Sequence, residues 1–362
     1  MAAAPTVRPG ARAGTDYPSS LSQFLDWFQT DADCVAYLAR LRWPDGFSCP
    51  RCGAGDAWLT KRYLYVCAGC GKQTSITAGT IFEKTRLPLL TWFRAIWMLT
   101  SSKSGVSAKE LERELGVGYR AAWLTLHKLR RAMVRPGRDG DKLSGDIEVD
   151  ESYLGGASPG GKRGRGAEGK VIVAIAVERM GFGKNSKRWK LGRARIEVVP
   201  NVRADTLLSF VERNCEPGST IYTDGLSAYN DLSNLGYEHD RHAVSKGNDP
   251  AHVVLPAVHR VAALLKRWLL GTHHGGWGEQ HVEAYLDEFV FRFNRRQSNA
   301  RGLLFYRLVQ NAVVMNKATY ELIVLRPKSQ ETKPRGRKRI RPYSTSAITN
   351  TPAARGTKAN TP

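Results

Sequence analysis

The stretch Gly145-Asp-Ile-Glu-Val-Asp150-Glu-Ser-Tyr-Leu-Gly-Gly156 decides how the rest of this chain is read. Ile147 and Val149 alternate with Glu148 and Asp150, the period-two pattern of a strand. The strand runs out into acidic residues, a tyrosine and a glycine pair. A carboxylate at a strand end sits on a rigid element and still reaches solvent, which suits it to hold a divalent metal. Taken alone, the stretch reads more readily as a solvated acidic strand end. Glu148 and Glu151 are expected on the sheet face opposite Asp150, away from any such metal.

Downstream, residues 171–178 form a continuous apolar run, the pattern of a buried central strand, and residues 194–199 predict a third. Residues 205–214 read as a helix, with Cys215 structural at its end. Thr220-Ile-Tyr-Thr-Asp224-Gly225 predicts a fourth strand ending in a second acid, followed by a helix through Leu235. Three strands, a helix, a strand and a helix is the α/β order of an RNase H-like core. In such a core the first and fourth strands lie side by side, so Asp150 and Asp224 would face each other. An Asp-Gly turn explains Asp224 by itself. The pair, in this element order, points to a metal site.

Between the first two strands, residues 155–170 carry Lys162, Arg163 and Arg165 among glycines, as a surface loop or an arm that grips phosphate. Residues 256–271 predict a helix on which His259 and Lys266, seven apart, share one face. His273-His274 reads as a surface turn. Residues 281–296 space Val282, Tyr285, Leu286, Phe289, Val290 and Phe293 as an amphipathic helix.

Upstream, Cys49-Pro-Arg-Cys52 and Cys67-Ala-Gly-Cys70 are separated by fourteen residues containing a short β segment. Each CxxC turn brings two sulfurs to one metal, and four thiolates complete a tetrahedral Zn²⁺ site with no position left for chemistry. The site is therefore read as a structural zinc ribbon. Ser107-Ala-Lys-Glu110 is a capping box opening a helix. Gly116-Val-Gly118 breaks it, and a second helix carries Lys128, Arg130 and Arg131 opposite an apolar face. Helix, glycine turn and basic helix resemble a helix-turn-helix, although a plain helical hairpin has the same pattern.

The 362 residues carry a formal net charge of +22. Residues 326–362 hold ten Lys/Arg against one Glu, so the remaining chain is still +13. Such a balance argues for a polyanionic partner, nucleic acid before membrane surface. No apolar run approaches the roughly 18 residues of a membrane span. Paired cysteines without a signal-like start fit a cytoplasmic, metal-binding chain. The expected organisation is a disordered 1–20, a zinc-ribbon domain over 21–86 and a helix-turn-helix-like segment over 87–135. An RNase H-like core over 143–314 and a disordered basic tail over 326–362 follow. The fold class is thus multidomain, mixing α+β and α/β parts.

With these residues in view, the chain resembles bacterial insertion-sequence transposases of the ISXO-like, zinc-ribbon class from about Phe24 to Val314. The likeness rests on the ribbon running into Thr77-Ala-Gly-Thr-Ile-Phe82, on residues 149–156 and on Lys162-Arg-Gly-Arg-Gly166. It rests also on Tyr222-Thr-Asp-Gly225, Leu269-Leu-Gly-Thr-His-His-Gly275 and residues 285–295. The resemblance implies a DDE-type catalytic core with Asp150 and Asp224 as its first two metal-binding acids. The third position, often Glu with Lys or Arg seven residues on, falls on His259 with Lys266. It further implies two catalytic Mg²⁺ or Mn²⁺ ions, double-stranded DNA as element ends and target, and a homo-oligomer acting on paired ends. The expected reaction is cleavage at the ends followed by strand transfer. A DNA-binding regulator that has lost catalysis, or a nuclease that cuts without joining, are the alternatives.

Overall fold

The computed structural model describes residues 10–134, 140–155, 170–181, 189–242, 251–275 and 278–324, all within one compact unit, Met1–Leu325. Helices α1 (Leu21–Trp27) and α2 (Asp31–Arg42) begin at side-chain caps. Ser20 Oγ accepts from the Gln23 N–H, and Thr30 forms a reciprocal capping box with Asp33. Strands β1 (Ala57–Leu59), β2 (Leu64–Cys67) and β3 (Gln73–Ser75) form an antiparallel sheet in that order. Arg42, in the last turn of α2, donates to the carbonyls of Ser75, Ile76 and Ala78, which ties the exit of this small sheet to α2.

Helix α3 (Leu89–Ser101) buries eight of its thirteen residues, so it is covered on nearly every side. Helix α4 (Ala108–Leu115) opens on the expected capping box, Ser107 with Glu110, and stops at Gly116, whose φ of +63° is the left-handed C-cap that glycine favours. Helix α5 (Tyr119–Met133) follows.

The large sheet contains β4 (Asp146–Leu154), β5 (Val171–Gly181), β6 (Trp189–Val199), β7 (Thr220–Thr223) and β8 (Glu238–Arg241), in the order β6-β5-β4-β7-β8. The pairs β4–β5 and β5–β6 are antiparallel, whereas β4–β7 and β7–β8 are parallel. This is the mixed RNase H-like sheet, with the first and fourth strands adjacent. Strand β8 has no counterpart in the sequence reading: its four residues, Glu-His-Asp-Arg, are polar and too short to show a period. Helix α6 (Ala204–Asn214) and a 3₁₀ helix at Ser227–Leu235 cover one sheet face, packing Phe210 and Tyr229 on Ile147 and Val149. Helix α7 (Ala251–Val254) leads into α8 (Pro256–His273), which with α9 (Val282–Asn294) covers the other face through Val258, Val261, Leu265 and Phe289.

Helix α10 (Arg301–Val314) leaves this sheet and enters the N-terminal helical core, where Phe305 packs among Phe24, Phe28, Phe93 and Trp97. The segment 143–314 is therefore not self-contained: its last helix completes the core of the first 133 residues. Residues 10–20 also depart from the expected disorder. Tyr17 is buried beside Tyr306, and a Cβ on Gly302 would sit 1.7 Å from the Pro18 carbonyl, so this segment lies directly on α10. A last short helix, α11, spans Tyr320–Val324.

Candidate active site

The four ribbon cysteines converge. Cys49 Sγ lies 3.7 Å from Cys70 Sγ and Cys52 Sγ 3.6 Å from Cys67 Sγ, with all four sulfurs within 4.8 Å of one another. A tetrahedron with Zn–S bonds of about 2.3 Å has sulfur–sulfur edges of about 3.8 Å, so the thiolate set fits Zn²⁺. Each knuckle closes on a glycine with positive φ, Gly53 (+74°) and Gly71 (+66°), whose N–H donates to the carbonyl of the first cysteine of its pair. The local spacing alone builds this site.

The second site is assembled from distant parts of the chain. Asp150 stands at the middle of β4, not at its end as the sequence reading expects, because the β4–β5 pairing continues four residues further to Leu154. The parallel register pairs Glu148 with Tyr222, and two more residues along each strand bring Asp150 level with Asp224, just past the end of β7. Asp224 Oδ1 accepts from the Leu226 N–H at 3.0 Å, which fixes the carboxylate on a turn at Gly225. From the covering layer, His259 Nε2 on α8 comes 3.6 Å from Asp150 Oδ2. Lys266 lies two turns along α8 on the same cleft. Asp150, Glu151, His259, Ala262, Ala263 and Lys266 are among the residues lining this cleft of about 420 Å³. The small alanines leave room between the two polar side chains.

Tyr229 packs with Ile147 and Val149 on the face of β4 away from α8. Its ring is fully buried, and its hydroxyl donates to Glu151. Burial and then the negative charges of Glu151, Asp150 and Asp224 hold its phenol well above the ordinary tyrosine range. Among the described residues, the cysteines are the one group of three or more His, Cys, Asp or Glu ligand atoms within 4.8 Å of each other. Asp150 and His259 meet in the cleft, and Asp224 stands just past the end of the strand next to β4; carboxylate oxygens are hard donors of the kind that hold a divalent cation.

Glu148 corrects the sequence reading. Residues 148 and 150 are two apart on a strand, so they share a face. Glu148 is completely buried under α8, where Oε2 accepts from the N–H of Ala257 (2.7 Å) and of Val258 (2.9 Å). Oε1 lies 3.5 Å from Arg179 Nε. Burial raises the pKa of this carboxyl against the opposing pull of the Val258 N–H, Arg179 and the Ala257 N–H. Glu151, by contrast, reaches the Tyr229 side of the sheet as expected.

Two residues expected to contact DNA are withdrawn from solvent. Arg130 is 1% exposed and pairs with Glu288 of α9, and Lys128 is buried with Nζ donating to the Ile81 carbonyl at 3.0 Å. Helix α5 packs against other helices on both sides, so its basic face is not a free surface; Arg131 remains exposed. Lys162, Arg163 and Arg165 lie outside the described residues. Glu288 itself was not legible as a site: nothing in an amphipathic pattern says that one acidic position faces inward.

A four-cysteine ribbon, a helical core and an RNase H-like mixed sheet with Asp150 on one strand and Asp224 just past its parallel neighbour make up the described chain. Residues 142–294 match the ISXO2-like transposase domain, and residues 29–73 match the transposase zinc-ribbon domain. Over these residues the chain carries the catalytic-domain and ribbon segments of that transposase family. It is 28% identical over 296 residues, 73% of its length and 91% of the relative's, to a Halobacterium salinarum protein described as an uncharacterized protein in transposable element ISH50. It is also 29% identical over 117 residues to an uncharacterized transposase-like protein of Haemophilus influenzae, covering 32% of this chain and 94% of that one.

Proposed function

We propose that this transposase cleaves DNA at the ends of its element and joins the freed ends to target DNA. The observation that carries the reading is the convergence of Asp150, His259 and Lys266 on one cleft, with Asp224 just past the end of the strand that neighbours β4. Asp150 and Asp224 are the residues that would hold a divalent cation. Such a cation supplies Lewis-acid activation and neutralises charge on the reacting phosphate.

The remaining chemistry belongs to the substrates and side chains. Water attacks a phosphodiester at the element end, the bond to the 3′ oxygen breaks, and a 3′-hydroxyl is released. That hydroxyl then attacks a target phosphodiester in line, forming one P–O bond as another breaks. The Lys266 ammonium grips a phosphate oxygen near the reacting centre. His259 is placed to orient the phosphate or the attacking water beside Asp150. A neutral imidazole is a poorer partner for Mg²⁺ than a carboxylate, and so favours Mn²⁺. The ribbon and the exposed N-terminal end of α5 hold the element ends, the chain's +22 charge adds affinity that weakens with salt, and joining two ends calls for at least two copies of the chain.

The test mixes the purified full chain with the DNA flanking its own gene, in Mg²⁺ and separately in Mn²⁺, with Asp150→Asn alongside. Metal-dependent nicks at the ends and joined products, absent with Asp150→Asn, support the reading. Nicks without joined products leave a nuclease. Specific binding with no cleavage in either metal makes the chain a DNA-binding regulator.

A further inference from the structure

We infer that Glu148 is the positioning residue for His259: it caps helix α8 from the sheet and so sets the imidazole over Asp150. The inference rests on the catalytic reading above and deepens it.

Helix α8 starts without a cap of its own. Its N-cap is Leu255, which has no side-chain acceptor, and Pro256 follows at the first helical position. The next two donors, the N–H groups of Ala257 and Val258, would be orphans in a buried setting. Both are taken by Glu148 Oε2, from a strand more than a hundred residues earlier. A fully buried carboxylate is costly unless hydrogen-bonded and charge-matched. Here the two amides, the positive end of the helix and Arg179 offset that cost in part, and burial still raises the carboxyl's pKa.

The geometry follows from two periodicities. On β4, Asp150 is the next residue after Glu148 on the same face. On α8, His259 is the next residue after Val258. Pinning the first turn of α8 to Glu148 therefore fixes the next side chain of each element beside the other, and the observed result is the 3.6 Å approach of His259 Nε2 to Asp150 Oδ2. Glu148 lies beneath the cleft, outside its lining. It acts through α8 and touches no reacting atom.

Two substitutions separate reach from charge. Glu148→Gln keeps the length and one acceptor oxygen. Glu148→Asp keeps the charge but shortens the side chain by one methylene, so it falls short of both amides. In the full chain, the His259 ring resonances, assigned with His259→Asn, report contact with Asp150 at fixed pH. Asp150→Asn is expected to move them in the parent and in Glu148→Gln, and to leave them unmoved in Glu148→Asp. End-DNA binding is expected within about twofold of the parent in both variants, while cleavage falls about 10- to 100-fold in Glu148→Asp, the cost of an ångström-scale misplacement. Glu148→Gln is expected to stay within about tenfold, because its amide still caps the helix but sheds the charge that matches it.

Retained Asp150–His259 coupling in Glu148→Asp overturns the inference. So does a Glu148→Asp protein that cleaves like the parent, which would make the cap merely structural. If the parent chain itself fails to cleave, the catalytic reading falls, and the ring resonances still decide whether Glu148 places His259.

Discussion

Arg130 Nε on α5 lies 2.8 Å from Glu288 Oε2 on α9, and the two side chains are 2% and 0% exposed. Arg292 takes the other carboxylate oxygen at 2.9 Å, and the Tyr285 ring lies 4.2 Å from the Arg130 guanidinium. Burial alone would raise the Glu288 pKa, but the two guanidinium groups outweigh it and hold the carboxyl below its usual range. The pair bolts the helical segment before residue 134 to the layer that covers the sheet.

Removing one partner should therefore be costly. Glu288→Ala leaves the buried Arg130 guanidinium without its carboxylate, while the half-buried Arg292 keeps its bonds to the Leu99 and Ser102 carbonyls, and is expected to lower stability by about 3–5 kcal/mol. Arg130→Met combined with Glu288→Leu should lose much less, because both charges leave the interior together. Urea unfolding of the three proteins checks this. Equal losses would show that packing, rather than charge, dominates the contact.

Zinc should govern the ribbon without governing the rest. Cys67→Ser is expected to bring bound zinc from one equivalent per chain to well below half, since a structural site depends on all four thiolates. Far-ultraviolet circular dichroism should stay near that of the parent, because α3, α5 and α10 pack into a core of their own. Metal analysis and spectra on the same sample test both halves.

At the cleft, Asp150→Asn should reduce end cleavage by about 10³-fold or more while end binding persists, as expected when one metal-binding carboxylate is lost. His259→Glu should shift the ratio of Mg²⁺- to Mn²⁺-supported cleavage upward by about tenfold, since an oxygen ligand suits the harder ion. An unchanged ratio would remove His259 from the neighbourhood of the metal.

Acid should destabilise the protein through its buried histidines. His127 is 1% exposed against Trp123, His281 and Tyr285, and burial followed by the nearby Arg130, His281 and His273 pushes its pKa down to about 2. His273 is pushed down to about 4, again by burial first and then Arg130. Both stay neutral in the fold, whereas the unfolded chain takes up the protons near pH 6.5. The unfolded state therefore binds more protons between about pH 6.5 and the folded values, and stability falls as pH drops through that window. Each histidine contributes up to about 1.4 kcal/mol per pH unit. Thermal unfolding at pH 7 and pH 5 should show a smaller difference for His127→Gln than for the parent. An equal difference would place the acid sensitivity elsewhere.

Much of the fold was readable because its signals are local. The CxxC spacing, the Ser107–Glu110 capping box and the apolar run of β5 each act over a few residues, and each element formed as expected. The adjacency of β4 and β7 followed from element order, and with it the neighbouring placement of Asp150 and Asp224. Strand β8 escaped notice because four polar residues carry no period. Glu148 shares the face of Asp150, since residues two apart on a strand point the same way, and its partners, the first amides of α8, carry no side-chain signal at all.

The sequence by itself determined the ribbon, the strands that carry the two aspartates, and the helix that carries His259 and Lys266, because short-range spacing and periodicity are written in consecutive residues. Tertiary structure alone decided that Arg130 and Lys128 point inward, that α10 completes the N-terminal core and that Glu148 caps α8. Those outcomes depend on partners far along the chain, 158 residues away for Arg130 and Glu288 and 109 for Glu148 and Ala257. A basic or acidic side chain looks the same in sequence whether water or a buried counter-charge awaits it, and only packing chooses between them.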